Sequence, residues 1–264
     1  MLRPIRRVLR RRFGWLPMYE LRNKVLLAHT IPPMWRFERC EVARLRATLP
    51  ARAPSLVTTV IPTYRRPVEL VAAIESALAQ TVRDHTVIVV DDGAGLPERL
   101  PEDPRLIAVS LSRNSGVLGV VRNVGIRLAD SEFVAFLDDD NTWEPDHLET
   151  ALNALRERDR LDGVYTAMRR VFPDGREKDI LSVPYDRQKA RNSAFLDANP
   201  FVARRSAALR FSRMRRDRGI LPREDWASLY RYAARHRIAH VPHPTVRYLV
   251  NAETYYTVWD EPTT

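Results

Sequence analysis

Short apolar runs alternate with helical patterns from residue 55 onward. The runs are apolar at almost every position, which predicts strands buried on both faces; they lie at 56–61, 87–90, 106–111 and 133–137. Apolar residues at helical spacing predict helices at 68–79, 117–128 and 226–234, and a further one that starts near residue 145. This alternation predicts an α/β fold, with a mainly parallel sheet and helices on both of its faces.

The first 54 residues have a different pattern. Four apolar residues recur at helical spacing among six arginines; they are Leu2, Ile5, Leu9 and Phe13. Such a basic helical arm is typical either of a helix on an anionic membrane surface or of an amphipathic arm packed on its own domain, and both interpretations stay open. Pro32-Pro33 interrupts the segment, and residues 51–54 are predicted to link it to the main domain.

Composition narrows the class of protein. Apolar residues make up 45% and charged residues 29% of the 264, an ordinary globular balance. The single cysteine, Cys40, cannot form an internal disulfide, and no Cys/His cluster has zinc-ligand spacing. The apolar runs are too short to cross a bilayer, and the N-terminus lacks the pattern of a secretory signal. We therefore expect a protein of the reducing cytoplasm that is either soluble or peripheral. A peripheral protein would lie on the inner face of the membrane.

The formal net charge of +10 favours a partner of opposite sign. Much of the excess lies at 3–12 and 204–218. Nucleic acid, anionic lipid and phosphorylated small molecules all meet this requirement, whereas the alternative is a basic surface that only maintains solubility.

Polar residues follow three of the predicted strands. They are Thr63-Tyr64, Asp91-Asp92 and Asp138-Asp139-Asp140. Because ligands of parallel α/β sheets bind beyond the carboxyl ends of the strands, we expect these residues to converge at one edge of the sheet.

The three adjacent aspartates give the strongest chemical signal. Three carboxylates directly after a buried strand repel one another, so they require a counter-charge, and Mg²⁺ or Mn²⁺ prefers such oxygen ligands. A metal held by one or two of them keeps positions free for substrate phosphates. The alternative is an acidic turn that caps the following helix without a metal.

Three weaker signals also have structural alternatives. Asp91-Asp92 could accept hydrogen bonds from a ribose or a base, although Asp-Asp-Gly is also ordinary turn chemistry. Arg122 could reach a diphosphate, although a lone helical arginine is usually solvated. Glu224-Asp225 precedes a helix, where acidic residues suit the helix dipole, and the functional interpretation makes Asp225 a general base.

Taken in order, these pieces resemble the family 2 glycosyltransferases of the GT-A (Rossmann-like) fold. The resemblance covers residues 55–250 and rests on Val60-Ile61-Pro62-Thr63-Tyr64-Arg65-Arg66, Val89-Val90-Asp91-Asp92-Gly93, Asn114-Ser115-Gly116, Arg122-Asn123, Phe136-Leu137-Asp138-Asp139-Asp140, Trp143, Pro145, His147-Leu148-Glu149 and Glu224-Asp225-Trp226. The sequence departs from the family pattern at Ala94-Gly95-Leu96, where Ser-Thr usually follows, and at Asn141, where a further Asp is common.

The resemblance implies a role for each matched residue. Pro62, Thr63 and Tyr64 would line the base pocket. Asp92, with Asp91 as the alternative, would bind the nucleoside, and Arg122 would lie near the base or the diphosphate. Asp138 and Asp140 would form the Asp-x-Asp metal motif for Mg²⁺ or Mn²⁺, with Asp139 near the sugar or ribose. Asp225 would be the catalytic base, with Glu224 as the alternative.

The resemblance also implies the reaction and the organisation of the chain. The reaction would be inverting transfer of a sugar from a nucleoside diphosphate sugar, UDP by default, to a hydroxyl of a glycan, a lipid-linked acceptor or a small molecule. The predicted parts are a basic arm at 1–54, a GT-A domain at 55–250 and a tail at 251–264. Within the domain, 55–145 would bind the nucleotide sugar and 146–250 the acceptor and catalytic base.

Two rival functions would require different sequence features. A nucleotidyltransferase would ordinarily carry a glycine-rich, lysine-bearing loop where this chain has Pro62-Thr63-Tyr64. A degenerate GT-A-like protein that binds only membrane or nucleic acid is the second rival; the triple Asp disfavours nucleic acid, because its phosphates would be repelled there. Residues 197–200 are predicted to contribute to acceptor binding, and His240 or His243 to supply an additional metal ligand. Trp226 could stack on a sugar ring, but a tryptophan in a helix is more often a core residue.

Overall fold

The structure is a computed structural model that describes residues 14–158, 160–216 and 224–250. The apolar positions predicted between residues 2 and 13, and the tail at 251–264, lie outside the described residues. The helices are α1 (Trp15–Leu27), α2 (Ile31–Thr48), α3 (Pro67–Leu78), α4 (Leu118–Leu128), α5 (His147–Glu157) and α6 (Glu224–Tyr232). The strands are β1 (Ser55–Thr63), β2 (His85–Asp91), β3 (Leu106–Ser110), β4 (Ser131–Phe136), β5 (Thr142–Trp143), β6 (Gly163–Val171), β7 (Glu177–Leu181), β8 (Phe201–Arg204) and β9 (Ile238–Leu249).

The strands form one mixed sheet in the order β3-β2-β1-β4-β8-β6-β9-β5, with β7 also paired to β6. The half built first along the chain, β3-β2-β1-β4, is entirely parallel. The direction changes at β8, which is antiparallel to both β4 and β6. The predicted α/β fold is therefore confirmed, and the sheet is mixed because β5, β7 and β8 each run antiparallel to a neighbouring strand.

Helices cover both faces of the parallel half. On one face α3 packs its apolar residues against Val57, Ile61 and Val87, and α5 continues this layer over β6, β8 and β9. On the other face α4 packs on Val60, and the close approach is set by Gly125, where a Cβ atom would lie 2.3 Å from Val60 Cγ1. Successive side chains of a strand point to opposite faces of the sheet, and here helices cover both faces. These runs are therefore apolar at nearly every position.

The basic arm packs on the main domain over residues 15–48. Leu16 and Leu27 of α1 and Val42 and Leu45 of α2 are buried. Pro32 and Pro33 stand in the first turn of α2, where proline is tolerated, so they separate two helices. Residues 15–48 are therefore packed on the main domain, whereas the apolar repeat at 2–13, from which both interpretations of the arm were drawn, lies outside the described residues.

Within the part of the chain that the structure describes, no helix has both the length and the apolar character needed to cross a bilayer.

Candidate active site

The predicted polar residues meet at the carboxyl edge of β1, β2 and β4. Thr63 at the end of β1 donates a hydrogen bond to Asp139 Oδ2 at 2.8 Å. Arg66 follows in the next loop, and one of its nitrogens lies 3.1 Å from Asp139 Oδ1 and 2.6 Å from Asp140 Oδ2. Asp139 is buried, and its carboxylate forms an ion pair with Arg66.

A fully buried arginine joins two parts of the site. Arg122 on α4 reaches Asp138 Oδ1 with one terminal nitrogen at 2.5 Å, and Asp225 at the start of α6 with the other. The same guanidinium lies 3.6 Å from Glu224 and over the ring of Phe211 at 5.0 Å from its centroid. Asp138 and Asp225 are therefore held on opposite ends of one planar cation.

Asp197 and Asn199 are part of this site, and sequence reasoning placed them only among general acceptor contacts. Asn199 accepts from the backbone N–H of Asp138 at 2.7 Å, and its amide nitrogen donates to Asp138 Oδ2 at 2.9 Å and to Asp197 Oδ1 at 2.7 Å. The residues immediately precede β8, whose antiparallel pairing with β4 brings them beside Asp138. The sequence held no periodic signal for β8, so it offered no way to find this contact.

Asp138, Asp197 and Asp225 each present a carboxylate oxygen within 4.8 Å of the others. Three carboxylates against one arginine leave a negative excess, and an all-oxygen donor set suits Mg²⁺ or Mn²⁺, so the residues present fit a divalent cation. The predicted partner Asp140 is not in this group, because its carboxylate is paired with Arg66. Neither histidine considered for the metal belongs to it: His243 contacts Asp146, and His240 contacts Ser182.

Burial changes the protonation of these acids. Burial, followed by the charge of Asp138, raises the pKa of Asp197 to about 6. Burial also raises the pKa of Asp139 to about 6, against the opposing effects of Thr63 and Arg66. For Asp225 burial outweighs the attraction of Arg122, so its pKa lies well above the usual range. Carboxyl groups with raised pKa values in a polar pocket are typical of proton-transfer sites.

The pKa of Arg122 is also raised, but against the effect of burial. Burial alone would lower the pKa of Arg122, but Asp138, Asp225 and Glu224 together raise it well above its ordinary value. The guanidinium therefore carries its positive charge at all working pH values and is a permanent counter-ion of the site.

The two aspartates at the end of β2 have different hydrogen-bond partners. The carboxylate of Asp91 accepts from the backbone N–H groups of Ala94 and Gly95 and from the Ser110 hydroxyl, so it fixes the turn. Asp92 accepts from the backbone N–H groups of Ser115 and Gly116 at 2.8 and 3.1 Å. It thereby fastens the loop before α4 to the end of β2.

The remaining predicted residues divide by exposure. Pro62 and Thr63 are buried in β1, whereas Tyr64 is exposed and carries the guanidinium of Arg65 over its ring at 5.1 Å. Trp226 is buried, and its indole N–H donates to the Ala190 carbonyl, which confirms it as a core residue. Asn141 accepts from the backbone N–H of Leu249 at 2.8 Å and so fixes the end of β9.

The chain matches a known family and is similar to known proteins. Residues 58–216, more than half of the chain, match the family model described as "Glycosyl transferase family 2". Chondroitin synthase of Escherichia coli is 33% identical over 168 residues, which are 61% of this chain and 23% of that protein. The succinoglycan biosynthesis protein ExoW of Rhizobium meliloti is 40% identical over 114 residues, which are 40% of this chain and 35% of that protein.

Solved structures share the fold. S. aureus TarS 1–349 in complex with UDP-GlcNAc superposes with a TM-score of 0.59 at 19% identity, over 76% of this chain and 60% of that chain. The UDP complex of the same protein gives a TM-score of 0.54 at 22% identity, over 77% of this chain and 63% of that chain. The aligned part thus spans between about a quarter and two thirds of the length of these proteins.

Proposed function

This chain belongs to glycosyl transferase family 2 and is a glycosyltransferase, and from that premise we propose that it moves a sugar from a nucleoside diphosphate sugar to a hydroxyl acceptor with inversion. The observation that carries the proposal is the constellation of Asp138, Arg122 and Asp225 at the carboxyl edge of the sheet. It unites two carboxylates and a permanent cation in one place.

The donor is proposed to be a UDP-sugar bound over the ends of β1, β2 and β4. Support comes from the shared fold of a protein solved with UDP-GlcNAc and with UDP. The base would lie against Pro62, Thr63 and Tyr64, and Tyr64 has the exposed ring that stacking on a base requires. Asp92, or Asp91 in its place, is proposed for the nucleoside, and Asp139 for the ribose or sugar.

Asp138 is proposed as the first ligand of Mg²⁺ or Mn²⁺, with Asp140 as the second. Such an ion would stabilise the charge that develops on the departing diphosphate. Asp140 can serve only if it leaves Arg66, with which it forms an ion pair at 2.6 Å. Asp197 offers a carboxylate oxygen close to that of Asp138 without such a rearrangement, so it is the competing second ligand.

Asp225 is proposed as the general base, with Glu224 as the alternative. Its carboxylate would accept the proton of the acceptor hydroxyl as that oxygen bonds to the anomeric carbon and the bond from that carbon to the diphosphate oxygen breaks. Arg122 would orient the carboxylate, since the guanidinium contacts Asp225 and Asp138 together, and it would favour the ionised form against the larger opposing effect of burial.

The organisation of the chain follows from these roles. We propose that 55–145 binds the donor and 146–250 contributes the base and binds the acceptor, which is a glycan, a lipid-linked sugar or a small molecule. Residues 1–54 are proposed as a helical arm and 251–264 as a tail, in a protein that acts in the cytoplasm or at the inner face of a membrane.

The test is a binding screen followed by a turnover assay. Full-length protein is melted with UDP-, GDP- and dTDP-sugars in the presence of Mn²⁺, Mg²⁺ or a chelator. We expect one nucleotide to raise the melting temperature only with metal, because a ligand that binds only the folded state stabilises it. Asp225→Asn should keep that rise but lower kcat for sugar transfer to a panel of hydroxyl acceptors by about 10²–10⁴-fold.

Asp84→Asn is the matched control, since Asp84 is exposed and directly precedes β2, at the opposite end of that strand from the site; it should change neither quantity. Near-normal turnover of the Asp225 variant would make the base assignment wrong. A melting temperature that no nucleotide sugar raises would contradict the donor assignment.

A further inference from the structure

Helix α1 is apolar on two opposite sides. Leu16 and Leu27 face the protein and are buried, as is Asn23 between them. On the other side Leu21 and Val25, one turn apart, are 65% and 73% exposed, and the adjacent Leu26 is 51% exposed. A helix with apolar residues all around ordinarily has a partner on each side. The inner side has the main domain, so the outer side of α1 calls for a second partner.

The charges around this outer face have one sign. Arg22 and Lys24 are exposed beside it. Glu20 is the sole acidic residue of α1, and it is directed inward onto Arg216 at 2.9 Å. The exposed part of the helix thus combines aliphatic side chains with cations and presents no carboxylate. A partner that is apolar inside and anionic at its surface matches both properties.

The neighbouring sequence has the same character. Residues 1–13, directly before α1, contain six arginines and no acidic residue, with apolar residues at helical spacing. On α2, Trp35 is exposed and carries the guanidinium of Arg39 over its ring at 4.7 Å. Tryptophan together with arginine is favoured where an apolar phase meets water.

We propose that the outer face of α1, formed by Leu21, Val25 and Leu26 and flanked by Arg22 and Lys24, docks on an anionic lipid bilayer. The aliphatic side chains would enter the boundary between headgroups and acyl chains, and the two cations would meet lipid phosphates. The inner face of the same helix stays on the main domain, so docking needs no unfolding. This inference goes beyond sugar transfer and is independent of it.

The test is co-sedimentation of the full chain with vesicles of phosphatidylcholine alone or with added phosphatidylglycerol. We expect binding only to the anionic vesicles, weakened by salt. The double variant Leu21→Gln/Val25→Gln should bind about tenfold more weakly or worse. Val68→Gln/Ile180→Gln, which removes two other exposed aliphatic residues, is the matched control and should bind like the wild type.

Charge is tested in the same way. Arg22→Gln/Lys24→Gln should lose roughly fivefold in affinity per charge removed. Arg83→Gln/Arg99→Gln removes the same net charge from exposed positions elsewhere and should have little effect. An equal loss in both variants would mean that net charge, and not this face, attracts the vesicles, and would overturn the proposal.

Three other outcomes would also overturn it. The first is a wild-type chain that does not bind anionic vesicles. The second is normal binding by Leu21→Gln/Val25→Gln together with loss of binding by Ile5→Gln/Leu9→Gln, which would place the contact before α1. The third is a change of molar mass in light scattering for Leu21→Gln/Val25→Gln, which would make the face an interface between two copies. None of these measurements needs a sugar donor or turnover. Failure of the membrane-docking proposal is therefore distinguishable from failure of the proposed sugar transfer.

Discussion

Arg122 and Asn123 are neighbours on α4 that serve different parts of the molecule. Arg122 points into the site and contacts Asp138 and Asp225. Asn123 donates to Glu38 Oε2 at 3.0 Å and accepts from the backbone N–H of Phe211 at 2.7 Å. One residue pairs with the acids of the candidate site, and the next connects their helix to α2 and to the chain after β8.

Buried carboxylates at the site weaken the metal-free fold. The pKa of Asp197 is about 6 in the folded protein, above the roughly 3.9 of an unfolded chain. The folded state therefore binds the proton more tightly, and stability is lost as pH rises from about 4 to about 6. Without metal, the ionised Asp197 costs free energy at neutral pH.

We predict that Asp197→Asn stabilises the metal-free protein by about 1–3 kcal/mol at pH 7.5, with little change at pH 4. The amide keeps the oxygen that accepts from Asn199 but carries no charge to bury. Denaturant unfolding in the presence of a chelator, at both pH values, measures the effect. Asp84→Asn should stay within about 0.5 kcal/mol of wild type at both; a pH-independent effect of Asp197→Asn would contradict the assignment.

At the scale of elements, α2 is fastened to α4 and to the chain after β8 by one buried acid. Glu38 is fully buried, and its carboxylate accepts from Arg213 through two bonds of 2.7 Å and from Asn123. Arg127 approaches it at 3.4 Å. Part of the basic segment 204–218 thus faces inward, so it is not free to bind an anionic partner.

We predict that Glu38→Gln lowers the free energy of unfolding by about 2–4 kcal/mol, because it leaves buried donors and a partly buried arginine without their charge partner. Glu75→Gln on the exposed side of α3 is the matched control and should change it by less than about 0.5 kcal/mol. Chemical denaturation measures both. Equal stabilities of the two variants would show that α2 is held by apolar packing alone.

At the scale of the whole molecule, the family match begins at residue 58, yet the helices before it complete the core. Val42 and Leu45 of α2 share a buried cluster with Ile88 of β2 and Val121 of α4. The arm is therefore built into the domain that carries the site, although it lies outside the matched region.

We predict that a chain starting at residue 55 is recovered as aggregate or melts far below the full chain. Three buried apolar residues of α2 would be lost, which at about 2 kcal/mol or more each consumes much of a typical domain stability of 5–15 kcal/mol. A chain starting at residue 14 keeps both helices and should stay monodisperse. Size-exclusion chromatography and thermal melting compare them; a stable, monodisperse chain from residue 55 would show that the arm is a separate unit.

Local pattern determined much of this protein. The apolar runs became β1 to β4, displaced by only one or two residues, and the helical repeats became α3 and α4. The aspartates after those strands lie at one edge because parallel strands end on the same side. The order of the motifs also identified the family, because the spacing of the residues at strand ends can be read directly from the sequence.

Only the tertiary structure decided which acids meet. Asp138 contacts Asn199, 61 positions later in the chain, because β8 runs antiparallel to β4, and it shares Arg122 with Asp225 because α6 returns to the same edge. Asp140, next but one to Asp138, is drawn to Arg66 instead. Periodicity encodes which side of an element is buried, whereas contacts between distant segments depend on strand register and helix packing, which no short stretch of sequence contains.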